Sequence, residues 1–86
     1  LSASSIAAIT NETIDKSVLI KGKITSIKET PAITITQVQD TTGKITVIMF
    51  RKEDSVVKKG DLVSVEGVVK KFKDIVEIEA KIVKVF

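Results

Sequence analysis

The chain has 86 residues, which is enough for one small domain with a thin core but too few for two. It contains no cysteine and no histidine, which excludes disulfides, thiolate nucleophiles, histidine general bases and the commonest metal ligands. The formal net charge of +3 permits a polyanionic partner without requiring one, and we expect a non-enzymatic chain with no metal and no cofactor.

The positive charge lies in the second half of the chain. Residues 1–43 carry four lysines and four acidic residues, whereas residues 44–86 carry nine lysines and one arginine against seven acidic residues. No apolar run is long enough to cross a bilayer, and the first residues lack the basic start and long apolar centre of a signal peptide. We therefore expect an intracellular, cytoplasmic domain without membrane contact. Because the chain begins with leucine, we also expect it to be a fragment of a larger protein.

The residues before the first strand divide into an apolar part and a polar part. Ser2–Ile9 has a cluster of serines followed by apolar residues, which predicts one or two helical turns, capped by Ser2, that pack an apolar edge against the sheet. A frayed, extended arm is the alternative interpretation. Thr10–Lys16 is polar and predicts a loop.

Ser17–Lys28 predicts the first strand, because apolar residues alternate with polar ones as far as Ile24. Ile27 breaks this alternation, and a bulge at residues 25–26 would return it to the core. Gly22 weakens the middle of the strand and marks a point of sharp bending.

Ile33–Phe50, reading ITITQVQDTTGKITVIMF, predicts two strands joined by a tight turn. Apolar residues recur at every second position on both sides of Asp40–Gly43, which is the pattern of strands with one buried face. We expect Asp40 to close the turn through its side chain and Gly43 to adopt a positive φ. The outward face of this hairpin is the predicted working surface.

Two more strands are predicted after a charged stretch, RKEDSVVKKG at residues 51–60, which is a loop or a short helix. Leu62–Phe72 and Ile75–Val85 show the same alternation, and Lys73–Asp74 between them predicts a turn. The alternation places these residues inward: Val63, Val65, Gly67 and Val69 in the fourth strand, and Val76, Ile78, Ala80 and Ile82 in the fifth.

Three motifs occur along the chain in one consistent order. They are VLIKGKITSI in the first strand, QDTTGKITVIMF in the hairpin and KKGDLVSVEGVVKKF in the fourth strand. Together with the count of five strands, they resemble the oligonucleotide/oligosaccharide-binding (OB) fold. The resemblance implies an all-β, five-stranded Greek-key barrel over residues 17–86, with a short N-terminal helix or arm over residues 1–16 and a loop or short helix between strands three and four.

Within this fold, the chain is similar to the nucleic-acid-binding branch, which includes replication protein A-type binders and the anticodon-binding domains of aspartyl- and lysyl-type tRNA synthetases. The resemblance implies binding of single-stranded DNA or RNA across strands two and three, flanked by the loops after strands one and four, in DNA replication, DNA repair or RNA metabolism. OB barrels also contact other domains or subunits, which is the alternative. An apolar patch of Ile33, Ile35, Ile48 and Val68 would carry that contact.

Two phenylalanines are candidates for base stacking. In the replication protein A branch, the aromatic residue that matches Phe50 stacks on a base, which implies the same role here; the alternative is a core residue at the end of the barrel. The family often places a stacking aromatic among basic residues after strand four, and Phe72 matches it beside Lys71 and Lys73. The alternative is that Phe72 folds back over the barrel mouth. We expect Phe86 either to plug the core or to owe its terminal position to truncation of the chain.

Strand two carries the next candidates. The alternation from Val38 places Ile35, Gln37 and Gln39 outward, unless a bulge shifts the register, buries Ile33 and Ile35 and exposes the threonines. In the synthetase domains a stacking Phe occupies the place of Ile35 and an Arg that of Gln39, so the likeness to a sequence-specific anticodon site is incomplete. We expect Ile35 to support a base by apolar contact and the two glutamines to bond base edges.

The remaining candidates lie on strand one and strand three. Ile48 and Lys44 face outward from strand three by its alternation. Lys21 and Lys23 project from strand one, either to follow phosphates or only to keep the surface solvated. Arg51 could stack or grip a phosphate, or pair with neighbouring acidic residues.

Overall fold

The computed structural model describes residues 1–50 and 57–86. These residues form five strands, which are β1 (Ser17–Glu29), β2 (Thr34–Gln39), β3 (Lys44–Met49), β4 (Leu62–Phe72) and β5 (Ile75–Val85). The strands close into a barrel in the order β1–β2–β3–β5–β4, with β3 and β5 parallel and all other neighbours antiparallel. The predicted all-β, five-stranded barrel is confirmed. Residues 51–56 of the predicted loop or short helix lie outside the described residues.

β1 bends so that it pairs with two neighbours, its first half with β4 and its second half with β2. The register with β2 shifts between Ile24 and Ser26, which confirms the predicted bulge, and Ile27 packs against the core. A Cβ atom added at Gly22 would lie 2.6 Å from the carbonyl oxygen of Gln39, so only glycine fits this close approach of β1 to β2.

A second bulge changes which side chains of β5 face inward. Glu66 of β4 pairs with Ile82, whereas the next residue, Gly67, pairs with Ala80, so β5 has one extra residue at this point. Ile82 therefore faces outward and is 47% exposed, while Val83 packs against the core. The predicted inward position of Ile82 is wrong, because one extra residue reverses the alternation that follows it.

β2 has the register that was predicted from Val38. Thr34 and Thr36 are buried and face the interior, while Ile35 faces outward, so the alternative register is wrong. The hydroxyl group of Thr36 donates a hydrogen bond to the carbonyl oxygen of Val47 at 3.0 Å. This bond satisfies a polar group that is otherwise surrounded by aliphatic side chains.

The N-terminal segment packs against the barrel but does not form an α-helix. One 3₁₀ turn spans Ile6–Ala8, and another spans Asn11–Thr13, where a loop was predicted. Ser2 precedes both turns, so its predicted capping role is wrong. Ile6 and Ile9 are buried in the core, which confirms that the segment contributes an apolar edge.

The β2–β3 turn holds this N-terminal segment through Asp40. Oδ1 of Asp40 accepts hydrogen bonds from the N–H of Thr42 at 2.7 Å, the hydroxyl of Thr42 at 2.6 Å and the N–H of Gly43 at 3.1 Å. Oδ2 accepts the N–H of Ile6 at 2.9 Å. The predicted structural role of Asp40 is confirmed. The positive φ predicted at Gly43 is wrong, since the Asp40 carboxylate closes the turn without a left-handed residue.

The substitution Asp40→Asn should lower the melting temperature by several degrees near neutral pH, because the amide group cannot accept all four bonds. These bonds, first that of the Thr42 hydroxyl and then that of the Ile6 N–H, lower the pKa of Asp40 from 3.8 to about 2. Asp40 therefore contributes fully to stability above a pH of about 3.8, and this contribution is lost as the pH falls towards about 2.

Thermal melts followed by circular dichroism across this acidic range and at neutral pH measure the effect. The melting temperatures of the wild type and Asp40→Asn should converge in acid, whereas the exposed control Asp74→Asn should follow the wild type throughout. A constant difference between wild type and Asp40→Asn at every pH would contradict the proposed electrostatic origin.

The substitution Gly67→Ala should lower the free energy of unfolding by about 1–3 kcal/mol, because the new Cβ would collide with the carbonyl oxygen of Glu79 and lie 2.8 Å from the Ile78 side chain. Gly43→Ala is the matched control, since a Cβ added there would lie 3.9 Å from its nearest neighbour, Ile6 Cγ2, which is an ordinary van der Waals contact. We expect the control to change stability by less than about 0.5 kcal/mol in urea unfolding. Equal losses in both variants would show that Gly67 has no special packing role.

Candidate nucleic-acid interface

The outer face of the barrel carries a groove of about 530 Å³, which we call the aromatic groove. It crosses β2, β3 and β5 and ends at the β4–β5 hairpin. Its floor is aliphatic because the strand register places Ile35 beside Ile48. The groove is formed by Ile33, Ile35, Thr46, Ile48, Phe50, Lys70, Lys71, Phe72, Glu77 and Glu79.

Both stacking candidates stand beside this floor. Phe50 follows β3 directly and is 55% exposed, and Phe72 ends β4 and is 60% exposed; neither ring belongs to the core. The turn after Phe72 is tight, with positive φ values at Lys73 and Asp74, and Nζ of Lys73 lies 5.4 Å from the centre of the Phe72 ring. Phe86 is 66% exposed, so the prediction that it plugs the core is wrong.

The outward side chains become polar along β2 and β3, away from the phenylalanines. Nε2 of Gln37 donates a hydrogen bond to Oγ1 of Thr46 at 2.6 Å, which couples the two strands on their outer face. Ile48 faces the same side, but its neighbours leave it only 7% exposed. The accessible outer surface of β2 at this point is therefore formed by Ile35 and Gln37, which are both half-buried.

Among the residues that the structure describes, the charges of the aromatic groove are balanced, with two lysines and two glutamates in its lining. Nζ of Lys70 bonds Oδ1 of Asp15 at 2.9 Å, and this hydrogen bond raises the pKa of Lys70. Burial, followed by the negative charge of Glu79, raises the pKa of Glu77. The groove therefore offers phosphate groups little net attraction, and its apolar floor is better suited to bases.

Sequence reasoning did not include Glu77 and Glu79 among the site residues. Their alternation in β5 predicted that they face outward, and this is confirmed. The alternation does not show which residues lie beside Glu77 and Glu79 in the sheet. Glu77 lies beside Thr46 and Glu79 beside Ile48 because of a parallel pairing between segments that are distant in the sequence. The two carboxylates enter the groove only through that pairing.

The other predicted site residues lie away from the aromatic groove. Lys23, Gln39 and Lys44 form one row across β1, β2 and β3, at the end of the face that carries the β2–β3 turn. Lys21 of β1 pairs with Ser64 of β4, and its Nζ lies 5.9 Å from the centre of the Phe86 ring. Arg51 lies outside the described residues. The structure thus divides the predicted site into an aromatic end and a basic end.

Among residues 1–50 and 57–86, no three carboxylate side chains are placed to hold one metal ion. In the same ranges, no helix is long and apolar enough to cross a membrane.

Several solved structures share this fold. An asparaginyl-tRNA synthetase from Pyrococcus horikoshii superposes with a TM-score of 0.87 at 16% identity, covering 100% of this chain and 22% of the synthetase chain. The second OB-fold domain of replication protein A from Methanococcus maripaludis gives 0.81 at 20% identity, covering 99% and 95%. A replication protein A heterotrimer bound to ssDNA gives 0.74 at 20% identity, covering 81% and 57%. At such identities the likeness concerns the fold, and this chain spans only about a fifth of the synthetase.

No curated protein sequence matches this chain. The sequence profile of the tRNA anticodon family, described as an OB-fold nucleic acid binding domain, matches residues 18–86. The match runs from the start of β1 to the last residue and therefore includes both ends of the predicted site. The chain belongs to the tRNA anticodon family of OB-fold nucleic acid binding domains.

Proposed function

We propose that this domain binds single-stranded nucleic acid by stacking bases on Phe50 and Phe72 in the aromatic groove. The observation that carries the proposal is that two phenylalanine rings, each more than half exposed, stand on one aliphatic groove. Flat rings can stack on any base, since every base has a π face, and such contacts therefore depend little on the nucleotide sequence. Ile35 and Gln37 would support a stacked base from below, by apolar contact and by a hydrogen bond to its edge.

The comparisons support this proposal at the level of the family, whose description is nucleic acid binding. One of the similar structures, the replication protein A heterotrimer, is bound to ssDNA. We propose that the domain serves as a non-enzymatic module of a larger intracellular protein in DNA replication, DNA repair or RNA metabolism. Ile35 and Gln39 stand where the synthetase domains carry an aromatic residue and an arginine, which favours binding with little sequence preference over anticodon reading.

Contact with another domain or subunit is the second candidate. It was expected to use Ile33, Ile35, Ile48 and Val68, but Ile48 is buried and the other three are half-buried. Ile33, Ile35 and Ile48 form the floor of a groove between exposed aromatic rings rather than a protruding patch, and Val68 does not line that groove. That shape is better suited to a thin, flat ligand than to a protein surface.

The substitution Phe50→Ala should weaken binding of a fluorescent single-stranded oligonucleotide by roughly 5- to 100-fold, since one base–aromatic stack contributes about 1–3 kcal/mol. Phe86→Ala is the matched control, because Phe86 is 66% exposed but lies outside the groove. Anisotropy titrations with DNA and RNA at several salt concentrations measure both variants and compare the two ligands.

Equal losses for Phe50→Ala and Phe86→Ala would overturn the assignment of the groove. If the wild type binds neither DNA nor RNA even at low salt, the proposed function fails. A concentration-dependent oligomer in sedimentation experiments, in the absence of such binding, would then support the protein-contact candidate.

The double substitution Glu77→Gln/Glu79→Gln should tighten oligonucleotide binding severalfold at neutral pH, because it removes two negative charges from the groove. In the wild type, binding should tighten as the pH falls towards the raised pKa of Glu77, and this dependence should be smaller in the variant. Glu66→Gln, on β4 outside the groove, is the control. Weaker binding by the double variant would instead indicate that the carboxylates accept hydrogen bonds from bases.

A further inference from the structure

A second cleft, of about 930 Å³, lies at the other end of β2, and we call it the turn-side cleft. It is formed by the middle of β1, the end of β2 with its turn, and the residues that lead into β4. The side chains that matter for its chemistry are those of Lys23, Thr25, Gln39, Thr41 and Lys59.

The bulge in β1 fixes the shape of this cleft. The N–H of Gly60 donates to the carbonyl oxygen of Ile24 at 2.7 Å, and the N–H of Ile24 donates to the carbonyl oxygen of Asp61 at 2.9 Å. These bonds attach the segment before β4 to β1 at the point where β1 leaves its regular ladder. As a result, Lys59 from that segment and Lys23 from β1 line the same cleft.

The cleft presents cations that have no counter-ion in the described part of the chain. Within residues 1–50 and 57–86, Lys23 and Lys59 form no ion pair, in contrast to Lys70 of the aromatic groove. Among the described residues of the lining, the one carboxylate belongs to Asp40, and both of its oxygens already accept hydrogen bonds from the turn and the N-terminal segment. The turn-side cleft is therefore the more favourable of the two sites for a phosphate group.

The aromatic groove and the cleft lie on one continuous face. Ile35 lies in the groove and Gln39 in the cleft, four residues apart on β2, which corresponds to about 13 Å. The hydrogen-bonded pair of Gln37 and Thr46 lies between them. Lys44 extends the basic end, because it pairs with Gln39 from β3.

We propose that the turn-side cleft is a phosphate-binding subsite for the same single strand whose bases stack in the aromatic groove. This inference rests on the proposed function. The strand would pass from Phe50 over Gln37 and Thr46, and its phosphodiester groups would reach Lys23 and Lys59, with the hydroxyl group of Thr41 as a further donor. A ligand confined to the groove would not reach these lysines, so the cleft contributes only to longer strands.

The test compares the wild type with Lys23→Gln/Lys59→Gln, using single-stranded oligonucleotides of about three and about twelve nucleotides, since OB domains occupy about 4–16. The control is Lys81→Gln/Lys84→Gln, which removes the same charge from exposed positions outside both sites. Affinities are measured by anisotropy over a series of salt concentrations.

For the longer oligonucleotide, the cleft variant should bind about tenfold more weakly at low salt, and its slope of log K against log salt should fall by about 1.4, or about 0.7 for each lost phosphate contact. For the shorter oligonucleotide, the affinity of the cleft variant should remain within about twofold of that of the wild type. In the control variant, the slope of log K against log salt should change by no more than about 0.7 for either oligonucleotide. In NMR spectra of the wild type, the backbone amide resonances of Gly22 and Gly60 should shift when the longer oligonucleotide is added but not when the shorter one is.

The outcomes separate this inference from the proposed function. If both lengths bind through Phe50 but the cleft variant behaves like the wild type, the subsite is wrong and the groove stands. Equal losses of affinity in the cleft variant and the control would show that the effect arises from net charge alone, and would overturn the subsite. If the wild type binds neither length, the proposed function and the subsite fail together.

Discussion

The parallel pairing of β3 with β5 is the contact on which both the interior and the outer face depend. It joins only three residue pairs, Thr46 with Glu77, Val47 with Ile78 and Ile48 with Glu79. Inward, it brings Val47 and Ile78 together in the core, where both are fully buried. Outward, it completes the floor of the aromatic groove. β1 and β4 can follow the curvature that this closure requires because glycine stands where each makes its closest approach to a neighbour.

The closure also explains why the two ends of the β2–β3 face differ in chemistry. At the aromatic end, β5 supplies carboxylates and β4 supplies lysines, and their charges cancel. At the turn end, β3 has no β5 neighbour, and the adjoining residues come from β1 and from the segment before β4. Lysines from these two elements are not matched by acidic residues of β5. A single sheet face therefore combines an apolar, aromatic half with a basic half.

The strands and most of their faces could be predicted from the sequence because a period of two is a local signal. In β2 the alternation from Val38 placed Thr34 and Thr36 inward, as observed, although it left a shifted register open. The outward orientation of Ile82 could not be predicted from the sequence, because the extra residue of β5 is recognised only from its pairing with β4. For the same reason, the carboxylates of the groove were recognised as outward but not as neighbours of Ile48. The first N-terminal turn depends on Asp40, which lies 34 residues from Ile6.

The β4–β5 turn has a further consequence for recognition. Lys73 and Asp74 hold φ values of 49° and 65°, a region that side chains other than glycine enter with difficulty. Positive φ values at both residues of a two-residue turn continue the twist of the flanking strands, and the ladder of β4 with β5 extends to the pair of Phe72 and Ile75, so the hairpin holds the backbone that carries Phe72. The backbone entropy of this position is then lost during folding rather than on association. An exposed aromatic residue at a loop tip can in this way act as a rigid platform.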